Sequence, residues 1–469
     1  MIPQVPTDFM SRLSKLAFLL ICTIIVFTTM AYGTVHQPTL ALFYFFIAVL
    51  ILLWAIDCLK GGEFRLSGSM LQVPLLALAA YGFIQIIPFG TYTAAGGLTG
   101  IPRTISIEPF ATQVTSLHIL ALCVFFSLTL VYLDSARRLR NLVTFIIVFG
   151  FIYAFYAILQ SVLSPAKIYG IYGHLYATPF GSFVNRHNFA ALMEMVVSVP
   201  LGLLFVGAVR RDKKLLYVVA VTLMTSALLL SGSRGGLVAL AAEIILLIIL
   251  TTGAQGSKRF VLKAALSLFL AGAAVGGAIF VGGDTSLTRF AETASSGDIS
   301  SNRFHIWDVT LKIISHNLPF GTGLGAYTQA YTQFDTLSGQ DLVEQSHNDY
   351  LQVLADAGLI GLIIGGLFLV WFFREGIRNT RRSNTFRRGV AVGALAGCFA
   401  ILIHSIFDFV LHITAISVMF LSLMALLVAA GRRFDDDITE FDETRSRSRR
   451  SASVTSIGKR SRSEKEPFS

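Results

Sequence analysis

The chain has 469 residues, of which 54% are apolar and only 14% charged, and its mean hydropathy is +0.69. A soluble globular protein carries about 25% charged residues, and a disordered chain lacks apolar ones, so neither class fits the bulk of this sequence. Its 40 glycines follow no triplet repeat and its 4 cysteines are too few for a disulfide scaffold, which leaves a polytopic membrane protein.

A bilayer-spanning helix needs roughly 17–25 mainly apolar residues. In chain order, twelve runs qualify: 16–32, 39–56, 71–87, 112–133, 142–163, 189–209, 215–230, 235–252, 264–281, 354–373, 390–407 and 413–430. The first has Arg12 and Lys15 before it, like a signal peptide. No small-residue cleavage site follows, so it is expected to stay as an uncleaved helix. With the N-terminus in the cytoplasm, 30 of the 37 Lys and Arg residues fall in the inner segments. The positive-inside rule predicts such an asymmetry. The net charge of +10 therefore orients the chain and attracts anionic lipid headgroups; it gives no reason to expect nucleic acid. Cys22, Cys58, Cys123 and Cys398 lie in or beside apolar runs and are expected to be packing residues.

The expected architecture is an all-α, polytopic helical bundle of about twelve transmembrane helices with one large periplasmic loop. Residues 1–281 hold spans one to nine, 282–350 the loop, 351–431 spans ten to twelve, and 432–469 a cytoplasmic tail. That tail mixes Asp435-Asp436-Asp437 with Arg445-Ser-Arg-Ser-Arg-Arg450 and has no apolar periodicity, so it cannot bury a core. Within the loop, Ser301-Asn302 offers a helix cap. Phe304, Trp307, Leu311 and Ile314 follow at helical spacing, which predicts an amphipathic helix on the bundle or the membrane surface. Pro319 and Gly321 stop it.

Polar residues that the bilayer should exclude cluster in five outer segments. Asn185, Arg186, His187 and Asn188 precede the sixth span, as ligands or as an interfacial helix cap. Arg234 sits in a tight turn, Ser231-Gly-Ser-Arg234-Gly235-Gly236, where flanking glycines admit a ligand to the backbone and a planar guanidinium suits a bidentate phosphate. Arg303 falls in the first turn of the amphipathic helix, against the helix dipole; Trp307 and a Pro319–Gly325 run rich in glycine follow it. Ser346-His347-Asn348-Asp349 enters the tenth span. With Ser346 as N-cap, His347 is the first helical residue and a candidate base. Asp408 and His412, four residues apart in the last outer turn, are expected to pair, either orienting a substrate or locking the turn.

In this order, Asn185-Arg186, Ser233-Arg234-Gly235, Asn302-Arg303 with Trp307, Pro319–Gly325 and His347-Asn348 resemble the O-antigen ligase and polymerase superfamily. Its members are bacterial inner-membrane glycosyltransferases with about a dozen spans and a large periplasmic loop late in the chain. The resemblance implies a glycan carried on undecaprenyl pyrophosphate and transferred to a lipid, glycan or protein acceptor, with no cofactor, metal or nucleotide sugar. It implies N- and C-termini in the cytoplasm and a site facing the periplasm. Arg234 and Arg303 would hold the pyrophosphate, His347 would take the acceptor proton, and Asn185, Arg186, Trp307, Asn348, Asp408 and His412 would complete the site. The alternative is a transporter or flippase. That class concentrates ionisable residues near the bilayer midplane, whereas Asp57, Glu194, Glu243, Asp356 and His404 read as scattered along the sequence.

Overall fold

The computed structural model describes residues 7–92, 100–165, 167–173, 177–252, 301–336 and 342–434, with isolated helical residues between 261 and 276. Thirteen α-helices with defined bounds follow one another among the described residues: α1 (Thr7–Met30), α2 (Gln37–Gly61), α3 (Gln72–Gln85), α4 (Pro109–Tyr132), α5 (Ala136–Leu163), α6 (Arg186–Val206), α7 (Lys214–Ser231), α8 (Arg234–Thr252), α9 (Ser301–Asn317), α10 (Tyr327–Phe334), α11 (Asp349–Asn379), α12 (Thr385–His404) and α13 (Thr414–Gly431). Among the same residues the one sheet is a ladder of two residues a side, Gly90–Thr91 with Pro102–Arg103. The protein is an all-α helical bundle.

Ten of the described helices are long and apolar enough to cross a membrane: α1, α2, α4 to α8 and α11 to α13. The third expected span is the shorter α3, with 14 residues. At 1.5 Å per residue it reaches about 21 Å, short of the roughly 30 Å hydrocarbon core. Most of the ninth expected span, and the tail beyond residue 434, lie outside the described residues.

Burial separates a centre from a rim. The most apolar stretches of α6, α12 and α13 are 89%, 78% and 94% buried, against 17% for α2, so α2 is positioned to face lipid. The centre is tight because α12 carries glycines at every fourth position. A Cβ on Gly393 would lie 2.6 Å from Ser198 O, and one on Gly397 would overlap the Ser198 side chain. Membrane helices gain little from apolar burial against lipid tails, so close backbone approach through small residues is what joins them. This stripe fixes the register of α12 on α6.

One expectation needs correcting in the 301–325 region. The helix forms and ends at Asn317, but Phe304 and Leu311 are exposed; Val309, Thr310, Ile313 and Ile314 are the buried face. That face packs with Tyr327, Tyr331 and Ala355, on α10 and α11. The Pro319–Gly325 run packs against α11. It fills a break in α11, where Gly358 leaves helical geometry (φ 59°, ψ −150°). Thr322 N and Gly323 N donate to Ala355 O and Asp356 O at 2.9 and 3.0 Å, and Leu359 N donates to Pro319 O at 2.9 Å. Gln85 clamps the same junction, donating to Asp356 O and accepting from Leu324 N. The glycines are needed for this backbone contact.

A candidate active site at one end of the bundle

The start of α6, the α7–α8 elbow, the first turn of α9, the entry to α11 and the α12–α13 turn meet at one end of the bundle. Asn185 caps α6 there, its side chain accepting from His187 N at 2.9 Å. Of the two readings of Asn185, the geometry supplies the helix cap.

His347 is held by its backbone neighbours. Asn348, not Ser346, is the N-cap of α11, accepting from Tyr350 N and Leu351 N at 3.0 Å. His347 thus lies outside the helix, in left-handed geometry (φ 54°), which costs a non-glycine residue about 1–3 kcal/mol and persists only where its surroundings enforce it. They do so here. Ser346 N donates to Gln352 Oε1 at 2.7 Å, Asn348 Nδ2 to Ile406 O at 3.0 Å, and Asp349 N to Ser405 O at 2.9 Å. Trp307 Nε1 donates to Ser346 O at 3.0 Å, tying α9 to the same segment.

The His347 ring lies edge-on to Phe409 and places Nδ1 3.1 Å from Asp408 Oδ1. Asp408 Oδ2 is 3.8 Å from Arg303 Nη2, and Arg303 Nη1 donates to Phe407 O at 2.8 Å. Burial pushes the Asp408 carboxyl upward, but the His347 hydrogen bond and the nearby His187, His347 and Arg303 outweigh it, leaving it well below the usual carboxylate range. Asp408 is thus an ionised anchor shared by a histidine and an arginine. Arg303 is 30% exposed, and its five N–H donors exceed what these two partners use.

The elbow packs against the same group. Gly232 (φ 67°) makes the turn, and a Cβ there would lie 3.5 Å from Arg186 Nη1. His187 Nδ1 is 2.9 Å from Ser233 Oγ, which accepts from Gly236 N. Arg234, half-buried, opens α8 between these contacts.

Asp408 and His412 do not pair, because Phe409 (φ −100°, ψ 52°) breaks the chain between them and only a short 3-10 turn, Val410–His412, follows, so no α-helical turn stacks them. His412 Nδ1 is 2.7 Å from Asp349 Oδ1, while Asp349 Oδ2 accepts from Ser405 Oγ and Leu411 N. Burial lowers the basicity of His412, but the Asp349 bond and charge raise it further, so its pKa lies above the ordinary imidazole value. A cavity of about 800 Å³ adjoins this pair; Gln345, Asp349, Tyr350 and His412 line its polar part, and Leu75, Leu78, Leu362 and Phe368 its apolar part.

The ionisable residues inside the bundle are less scattered than their sequence positions suggest. His404 Nδ1 lies 2.9 Å from Glu194 Oε1, both fully buried. Glu243, buried on α8, is close enough to Glu194 to interact with it electrostatically. Only the packing of three helices brings them together, and no spacing in the sequence signals it. Among the described residues, no group of three or more His, Cys, Asp or Glu is arranged to hold a metal ion.

No curated protein matches the chain significantly. Residues 219–365 match the family model described as O-Antigen ligase. That stretch contains Arg234, Arg303, Trp307, His347 and Asn348, on which much of the motif resemblance rests, and over it the chain is similar to the O-antigen ligase family.

Proposed function

We propose that the chain is an inverting glycosyltransferase that moves a glycan from undecaprenyl pyrophosphate to an acceptor hydroxyl at the periplasmic face of a bacterial inner membrane. The observation that carries this reading is the Asp408 carboxylate bridging His347 and Arg303. With Nδ1–H donated to Asp408, His347 presents Nε2 as a proton acceptor, and Asp408 stabilises the imidazolium that forms. The acceptor oxygen, giving its proton to Nε2, bonds to the anomeric carbon from the face opposite the leaving group. The bond from that carbon to the phosphate oxygen breaks, and the pyrophosphate departs with the electron pair. Its charge needs cations in place before it develops, the role assigned to Arg234 and Arg303, with Arg186 beside the elbow. The reading needs no metal or nucleotide sugar. The cavity beside His412 has the polar and apolar parts that a lipid-borne substrate would need, and its lining includes Asp349 and His412 but not His347, Asp408, Arg303 or Arg234.

Arg234→Lys and Arg303→Lys test the clamp. Lysine keeps the charge but loses the planar fork that grips two phosphate oxygens. Each variant should insert normally and lose most of its transfer activity with purified lipid-linked donor. Wild-type transfer by both contradicts the clamp.

The transporter reading draws on one observation, the Glu194–His404 pair near Glu243 inside the bundle. That pair packs against the elbow of the proposed site, which supports a role in the transferase. A transporter would move substrate across vesicles without any acceptor.

A further inference from the structure

We propose that His404, oriented by Glu194, is a positioning residue that sets the Arg234 elbow in register with the turn carrying Asp408. The inference rests on Arg234 as a pyrophosphate ligand. His404 touches both halves of the site. A Cβ on Gly235 would lie 2.8 Å from His404 Nε2 and 2.9 Å from its Cδ2, so the ring is seated directly under the elbow backbone. One on Gly236 would lie 3.0 Å from Glu194 Oε1 and 2.8 Å from Ala190 Cβ. On its other side, the His404 carbonyl accepts from Phe407 N at 2.8 Å and Asp408 N at 3.1 Å. Phe407 O in turn holds Arg303. One residue therefore joins the mounts of Arg234, Arg303 and Asp408.

Glu194 decides which way the ring points. It lies 2.9 Å from Nδ1, which directs Nε2 and Cδ2 at Gly235. Both partners are buried, and a buried charged or polar group holds its geometry because breaking its bond is costly. The glycines at 235 and 236 belong to this packing: their missing side chains let the elbow rest on the pair.

The test compares Gly235→Ala, His404→Asn and the double variant in purified full-length protein with an undecaprenyl-pyrophosphate-linked glycan and an acceptor. An Asn amide nitrogen sits near the position of Nδ1, so His404→Asn can keep the Glu194 bond while vacating the space under Gly235. Gly235→Ala should raise the donor KM about tenfold or more, since an ångström of misplacement costs up to about 10²-fold, with the acceptor KM unchanged. His404→Asn should show a smaller rise, and the double variant should return to within about threefold of His404→Asn, as expected for groups in contact. Losses that multiply in the double variant, or donor and acceptor KM rising together with a fall in thermal midpoint, overturn the proposal. If Gly235→Ala does not insert, Glu194→Gln decides: it should raise the donor KM selectively, and a wild-type donor KM rejects the inference. Arg234→Lys in the same assay separates the two claims. Unchanged donor KM there removes the pyrophosphate reading itself; a raised one with multiplying double-variant losses removes only the positioning role.

Discussion

The His412–Asp349 pair joins the α12–α13 turn to the start of α11, and its strength depends on the charge of the imidazole. The folded-state pKa of His412 is raised by that carboxylate, so the stability the pair contributes is fully present below about pH 6.5 and is lost as pH rises through the folded value. His412→Gln should therefore lower the thermal midpoint more at pH 5.5 than at pH 9. Equal deficits at both pH values contradict this account of the pair. The partner itself was not legible in the sequence. Asp408 and His412, four residues apart, would share a helix face, but Phe409 between them has φ −100° and ψ 52°. The spacing then carries no information, and each residue takes a partner about sixty positions away, Asp408 taking His347 and His412 taking Asp349. His347, Asp408, Arg303 and Arg234 were legible as candidates because polar residues beside apolar runs stand out. Their pairings depend on the register of α11 against the α12–α13 turn, which no local pattern encodes.

At the scale of elements, ten of the expected spans appear as helices long enough to cross a membrane, because a long apolar run is a strong local signal. The amphipathic α9 was legible as a helix but not in phase. Its buried stripe is set by the α10 and α11 surfaces it meets, and large apolar residues such as Phe304 remain outside. The break in α11 was also hidden, since a glycine inside an apolar run reads as an ordinary packing residue. Gly358 has positive φ, and a Cβ there would overlap Pro319 O. Gly358→Ala should destabilise the protein by about 1–3 kcal/mol, the cost of strained backbone, with the Pro319–Gly325 run released. Thermal unfolding and limited proteolysis near residue 320 measure this; a wild-type midpoint and cleavage pattern would mean that the run does not depend on the break.

For the whole molecule, the 30 basic residues on the inner segments are expected to orient the bundle, and the polar junctions gather at one end of it. If that end faces the periplasm, as proposed, a reporter active only there should work after Ser296 and fail after Arg382 and Ser451. An active fusion at Ser451 contradicts the orientation and the parity of the spans.

The most direct measurement of the proposed chemistry compares donor binding with transfer in purified His347→Gln. Glutamine keeps a hydrogen-bonding side chain but cannot take up a proton near neutral pH. A general base contributes about 10²–10⁴-fold, whereas donor affinity is assigned to the arginines and the polyprenyl chain. The variant should bind the lipid-linked donor as the wild type does and transfer it at least about a hundredfold more slowly. Transfer within a few-fold of wild type, or loss of donor binding along with transfer, would contradict His347 as the base.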